Sequence, residues 1–231
     1  MKTFVRALLH GGTAGSRGWA VGLILVCAPL CAWAQSRVLH VRGEVTVERD
    51  GSSRKAAKAM SLEVGDRIVT GARSTAVADL GEGAVVKLRE RSSLLIEERF
   101  AAVRLDAGSV FARLTAKLRK GGFQVRTPFA VAAVRGTEFF TAYGRATKKG
   151  RDLWVCVNRG VVEIESLATK KKLLLKEGKG IIIFDGTDLT PPQVYDWTKK
   201  LNWNMEEETG ELEDRTSLDA AYSDLLNQDY E

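Results

Sequence analysis

The chain has 231 residues, of which 45% are hydrophobic, 28% charged and only 7% aromatic, with 22 Gly and 4 Pro. At the usual ~100–200 residues per domain this allows one main domain with appendages, and it excludes a large multidomain enzyme and a disordered or collagen-like chain. The net charge of +6 is unevenly placed: residues 35–184 hold 29 basic and 16 acidic side chains, a net of +13, whereas residues 185–231 hold 3 and 13, a net of −10.

Residues 1–34 read as a signal peptide. Lys2, Arg6 and Arg17 form a basic lead without acids, residues 19–30 a short apolar run, and Ala32-Trp33-Ala34 a small-x-small cleavage site, with cleavage expected between Ala34 and Gln35. The apolar run is shorter than the ~20 residues that span a bilayer, and no other stretch comes close. The expectation is an exported, periplasmic or extracellular protein with no stable transmembrane span after cleavage; the alternative is that the segment stays uncleaved as an anchor. Nucleic acid is then not a partner. Leu30 before Cys31 and Val26 before Cys27 do not fit a lipidation site. Cleavage leaves Cys156 as the one thiol and His40 as the one histidine, so neither an intramolecular disulfide nor a Cys/His zinc framework is available. Cys156, within Leu153-Trp154-Val155-Cys156-Val157, reads as a buried small hydrophobe.

From residue 35 to 187 short β-branched runs follow one another, broken repeatedly by Gly. Strands are expected at 38–41, 44–48, 67–70, 85–89, 94–97, 103–106, 110–114, 123–127, 131–135, 138–142, 153–158, 161–165, 172–176 and 181–185. Alternation in Val45/Val47, Ala84/Val86/Leu88 and Phe123/Val125 puts one face on a core and the other in solvent. Residues 54–60 could form a helical turn or two. The region is all-β: a twisted roll, solenoid or sandwich of many short strands. Gly43-Glu-Val45, Gly108-Ser-Val110 and Gly160-Val-Val162 each open a strand after a turn, an internal echo with unequal spacing.

Residues 188–231 form an acidic, partly helical C-terminal tail. Pro191-Pro192 stops the sheet pattern, and Val194, Trp197 and Leu201 give residues 193–203 the stripe of a short amphipathic helix. Residues 206–214 read as a mobile acidic linker. A final helix over 218–230, capped by Thr216 or Ser217, lines up Leu218, Ala221, Tyr222, Leu225 and Leu226 as a candidate partner-binding face. The tail either folds over the basic body or leaves it open to an outside polyanion. Lys117-Leu-Arg119-Lys120, Lys148-Lys149-Gly-Arg151 and Lys170-Lys171-Lys172 read as solvated hairpin loops.

Chemistry is sparse. No G-x-S-x-G surrounds any serine, and His40 alone could serve a triad. Asp66, Asp79, Asp106, Glu138 and Asp152 could supply paired carboxylates, but Asp66 after Gly65 and Asp106 before Ala107-Gly108 read as turn formers. Gly178-Lys179-Gly180 lacks the rest of a phosphate loop. The chain reads as a non-enzyme with no catalytic, metal or cofactor-binding residues and no cofactor.

An ordered series of turn-and-strand signatures remains. It runs through Gly43-Glu44-Val45, Gly65-Asp66, Thr70-Gly71, Ser74, Gly83 to Leu88, Leu105-Asp106-Ala107-Gly108-Ser109-Val110, Thr127-Pro128, Arg135-Gly136-Thr137-Glu138-Phe139, Gly160-Val161-Val162 and Glu177-Gly178. The series covers residues 38–184 and resembles the FecR-like domain family. The physical reading of its residues is mainly structural: Pro128 at a strand start or edge, Gly136 at a turn, Thr137 half-buried in a strand, and Arg135 pinning a loop through its planar fork, with a ligand-facing role as its alternative. The resemblance implies a periplasmic sensing or interaction module. In the namesakes a cytoplasmic anti-sigma region precedes one membrane span, and the periplasmic part relays the state of an outer-membrane transporter. This sequence reads as a stand-alone exported version without the anti-sigma N-terminal region. Its expected role is a cell-envelope protein-interaction or signalling module, and the alternative is a binding module for an acidic glycan or other envelope polymer on the basic face.

Overall fold

A computed structural model describes residues 36–115, 122–147, 150–184 and 189–218. The predicted signal peptide with Ala34 and Gln35, the runs around Lys117 and Lys148, and Ala221, Tyr222, Leu225 and Leu226 of the predicted last helix lie outside the described residues.

Among the described residues fifteen strands form two sheets that share one long strand. The first sheet runs β1 (Arg37–Arg42), β5 (Thr75–Gly81), β6 (Ala84–Leu88), β8 (Ala102–Leu114), β11 (Glu138–Thr147), β12 (Gly150–Arg159) and β15 (Gly180–Phe184), all antiparallel. The second runs β3 (Ser52–Lys55), β2 (Val45–Arg49), β4 (Arg67–Thr70), β7 (Ser93–Glu98), β8, β9 (Phe123–Arg126), β10 (Ala130–Val134), β13 (Val161–Ser166) and β14 (Lys172–Lys176). Only β8 and β9 pair in parallel, over Ala102–Arg104.

The runs expected at 103–106 and 110–114 are thus one strand. Its first half pairs with β7 and β9 in the second sheet, and its second half with β6 and β11 in the first. The crossing falls at Gly108, whose φ of +81 is open to a residue without a Cβ, and an added Cβ would lie 2.5 Å from the Ser92 Cα. The Ser92 hydroxyl accepts the Ser109 N–H at 2.9 Å. The same device recurs where Gly43 faces Ser74, whose hydroxyl accepts the Glu44 N–H at 2.9 Å. It recurs again where Gly160 packs on Thr137, whose hydroxyl donates to the Val161 carbonyl at 3.0 Å. The echo noted in the sequence is therefore a repeated corner, a bare Cα against a Ser or Thr hydroxyl bonded to the next residue.

One core joins the inward faces of both sheets: Ala78, Val86, Val110, Phe139 and Val155 from the first, and Val47, Ile68, Leu105, Val125 and Ile164 from the second. At roughly 25 cal/mol per Å² of apolar surface, this buried cluster is the main stabilising term. The all-β expectation holds.

Three local expectations change. Arg54 and Lys55 belong to β3, an exposed edge strand, and residues 56–60 form no helix. Strand β5, absent from the expected set, is buried at six of its seven positions because both of its faces are covered. In the tail, the expected helix over 193–203 shrinks to a single 3-10 segment, Asp196–Lys200. The stretch before it instead pairs with β15, Gln193 and Gly180 exchanging N–H···O bonds of 2.9 and 2.8 Å.

Candidate functional site

Several of the motif residues hold turns and strands together. Asp66 is fully buried, and its carboxylate accepts the Arg49 Nε and Nη2 at 2.6 and 2.7 Å and the Glu63 N–H at 2.8 Å. Thr70 donates its hydroxyl to the Arg89 carbonyl at 2.5 Å and accepts the Ser92 N–H at 2.9 Å, so one side chain ties three segments together. Thr127 closes the β9–β10 turn by donating to the Ala130 carbonyl at 2.9 Å, with Pro128 inside that turn and not at a strand start. Gly65 and Gly136 sit at turns with positive φ, Gly71 packs on Glu44, and Phe139 is fully buried in the core. Thr137 is buried, not half-buried, one residue before β11. Arg135 departs from expectation: its side chain is exposed, and among the described residues its guanidinium pins no loop, although its carbonyl accepts the Thr137 hydroxyl at 3.3 Å. Asp106 lies within β8, where burial resists ionisation but hydrogen bonds from Arg67 and Arg104 hold its carboxyl below the usual range. The turn role expected of Asp106 gives way to an ion-paired strand position.

The outer face of the first sheet is where the molecule departs from an ordinary half-solvated sheet. Phe111, Phe140, Ala142, Trp154, Cys156 and Ile182 point away from the main core, yet all are buried under the tail residues Tyr195, Leu201 and Met205. Trp203 packs edge-on against Phe111 with ring centroids 5.2 Å apart, and Phe111 touches Phe140 at 4.8 Å. Burial pushes the Cys156 thiol well above its ordinary value, so it is an inert packing group here.

Within this second core lies Lys87, fully buried. Its ammonium donates to the carbonyls of Asn202 and Asn204 at 2.5 and 2.6 Å and sits 4.4 Å from the Phe111 ring centroid. Burial pushes its pKa down to about 8 against the opposing pull of Asp214. Burial likewise pushes Asp152 up to about 6, against the nearby Arg145.

Residues 201–217 act as a strap across this face, and it is the acidic segment expected to be a mobile linker. Leu212 and Met205 are buried in it. Asn202 donates its side-chain amide to the carbonyls of Glu211 and Glu213 at 2.7 and 2.8 Å, folding the strap on itself. Its carboxylates reach the basic body: Glu206 pairs with Arg113 at 2.7 Å, Glu207 with His40 at 2.6 Å and with Lys58, Glu213 with Arg42, and Asp214 with Arg89 at 3.4 Å. The strap therefore answers the charge asymmetry of the sequence, since the acidic tail covers part of the basic body. Away from it, Lys172 of the lysine run is engaged by Glu163 and Glu165, each at 3.2 Å.

Beside the strap lies a cleft of about 840 Å³, walled by the β1, β5, β6, β8 and β11 strand ends and by residues 213–218, with Leu218 from the predicted last helix at its rim. Six arginines line it, against Glu90, Glu213 and Asp214. Among the described residues no group of three or more His, Cys, Asp or Glu is placed to hold a metal, and no helix is long and apolar enough to cross a membrane.

Part of the chain that carries these corners matches a known family. Residues 66–163 match the family model described as FecR protein. This part of the chain is a FecR domain. The FecR match begins at Asp66 and ends in β13, so it takes in the Thr70, Gly108 and Thr137 pins but neither the Gly43 corner nor the strap. Among solved structures, two crystal structures of a candidate anti-sigma factor from Parabacteroides distasonis ATCC 8503, at 1.65 and 2.50 Å resolution, are similar at 20% identity, with TM-scores of 0.47 and 0.48. Each covers 58% of this chain and 63% or 62% of its own, so the chain spans less than two thirds of their length. No curated protein matches the chain.

Proposed function

We propose that this FecR-domain protein is a non-enzymatic regulatory module, exported to the cell envelope, that works by binding a protein partner. The observation that carries the reading is the FecR match over residues 66–163, in which Thr70, Gly108 and Thr137 fix corners and turns of the platform. The strap supports it, because an acidic segment held on a sheet face partly by side-chain ion pairs is one with which an acidic segment of a partner could exchange. The acidic-glycan reading loses ground, since strap carboxylates already occupy Arg42, Arg89 and Arg113.

The test has two steps. N-terminal sequencing of the protein purified from its own cells is expected to begin at Gln35; a chain still beginning at Met1 overturns cleavage, and recovery of the chain in the cytoplasmic fraction overturns export. Photo-crosslinking of the full chain in intact cells is then expected to trap one defined envelope protein, and recovery of envelope polymer alone overturns the protein-partner reading. A form ending near residue 185 is unsuitable as the comparison, because it would strip Tyr195, Leu201 and Met205 from the second core.

A further inference from the structure

The cleft beside the strap has more cationic groups than the described residues pair. Arg42 and Arg89 are taken by Glu213 and Asp214, and Arg215 pairs with Glu211 at 2.6 Å. Arg73 and Arg91 are different. Each is exposed at a tight turn with φ of 52°, and among the described residues neither guanidinium has an ion-pair partner. Their turns are fixed from within: the Arg91 N–H bonds the Gly71 carbonyl at 3.0 Å, and the Arg73 N–H bonds the Glu90 carboxylate at 2.7 Å. Two planar forks with no ion-pair partner among the described residues are thus held on rigid supports at the rim of one cleft.

The strap shows what this wall recognises. Arg89 donates to the main-chain carbonyls of Asp214 and Thr216 at 3.3 and 2.8 Å while its Nε lies 3.4 Å from the Asp214 carboxylate, and Arg42 takes the Glu213 carboxylate. Arginine is being used to read an extended backbone and its acidic side chains together, which suits its fork geometry. The remaining volume, about 840 Å³, is in the range of whole ligand pockets and exceeds what a single inorganic anion needs. Among the described residues Tyr143 is the one aromatic ring in the lining and is itself buried, so they offer a sugar no stacking platform.

Building on the partner reading above, we infer that this cleft binds an extended acidic peptide segment of the partner protein, laid beside the strap and held by Arg73 and Arg91. The test is fluorescence anisotropy on the full chain with labelled hexaglutamate as probe, with labelled hexalysine and trigalacturonate as comparisons. Hexaglutamate should bind, hexalysine should not, and the affinity should fall at least tenfold between 50 and 500 mM salt. The double variant Arg73→Gln/Arg91→Gln should weaken hexaglutamate at least tenfold, while Arg159→Gln/Lys176→Gln, two exposed cations elsewhere, should leave it within twofold. Both changed sites are exposed turns, and an unchanged melting temperature verifies that the fold is intact. No binding of hexaglutamate, equal loss in the control variant, or tighter binding of trigalacturonate overturns the inference. The same double variant in the crosslinking experiment separates the two claims: a partner still trapped as efficiently by Arg73→Gln/Arg91→Gln removes the cleft and leaves the interaction module, whereas no partner with the unaltered chain removes the module itself.

Discussion

The two sheets share a strand and a core but meet the outside in opposite ways. The outer face of the second sheet is an open lattice of ion pairs: Arg67 and Arg104 converge on Asp106, and Arg104 and Arg126 converge on Glu97 at 3.1 and 3.2 Å. Each such pair is worth little alone in water, and the face stays wet. The outer face of the first sheet carries Phe111, Phe140 and Trp154 with a buried lysine among them, and it is sealed by residues 195–205. The difference shows what the tail is for. A strand that alternates polar and apolar needs one partner layer, whereas a strand apolar on both faces needs two, and only the tail is available to be the second.

Three measurements would break or sharpen this contrast. The largest effect is expected from Phe140→Ala, which empties a fully buried site in the second core; chemical denaturation should show a loss of about 3–5 kcal/mol, as for buried Phe truncations generally. A loss below about 1 kcal/mol would mean that the strap does not seal that face in solution. Next comes Lys87. Its folded pKa of about 8 lies below the ordinary value of 10.5, so between those two pH values the unfolded chain holds more protons at this site than the folded one. Folding stability contributed by the site therefore rises with pH across that window. Relative to Lys87→Met, the unaltered protein should gain about 2 kcal/mol between pH 7.5 and 10 in urea titrations. A flat difference would place the ammonium in water and open the strap. The smallest effect belongs to the second sheet: Leu174→Ser, at a side chain 60% exposed, should change stability by no more than about 0.5 kcal/mol. A larger loss would mean that this face, too, has a cover.

Much of the contrast could be read in the residues. Val45/Val47 and Phe123/Val125 alternate cleanly, and they lie on the half-solvated second sheet. Leu153-Trp154-Val155-Cys156-Val157 and Ile181-Ile182-Ile183 are continuous apolar runs, the pattern of strands buried on both sides, and they lie on the first. What such runs do not state is which segment covers them. The fully buried Lys87 gave no warning, because a lone Lys in Val85-Val86-Lys87-Leu88 looks like the solvated position of an alternating strand. Its partners are carbonyls 115 and 117 residues away. The acidic stretch 206–214 was misleading for a related reason: its low apolar content predicts mobility only if its charges have nowhere to go, and here they meet Arg42, His40, Lys58, Arg89 and Arg113.

By itself the sequence determined the all-β class, most strand positions, the corner glycines and the FecR resemblance. These follow from local rules: the two-residue period of a strand, and the few residue types that tolerate a sharp turn. Tertiary structure alone decided that residues 103–114 form one strand crossing between sheets, that the tail lies down as a strap, and that six arginines from distant segments wall one cleft. Those outcomes depend on contacts between residues far apart in the chain. Such contacts form only when burial and charge pairing together outweigh the entropy of closing the long loops between them.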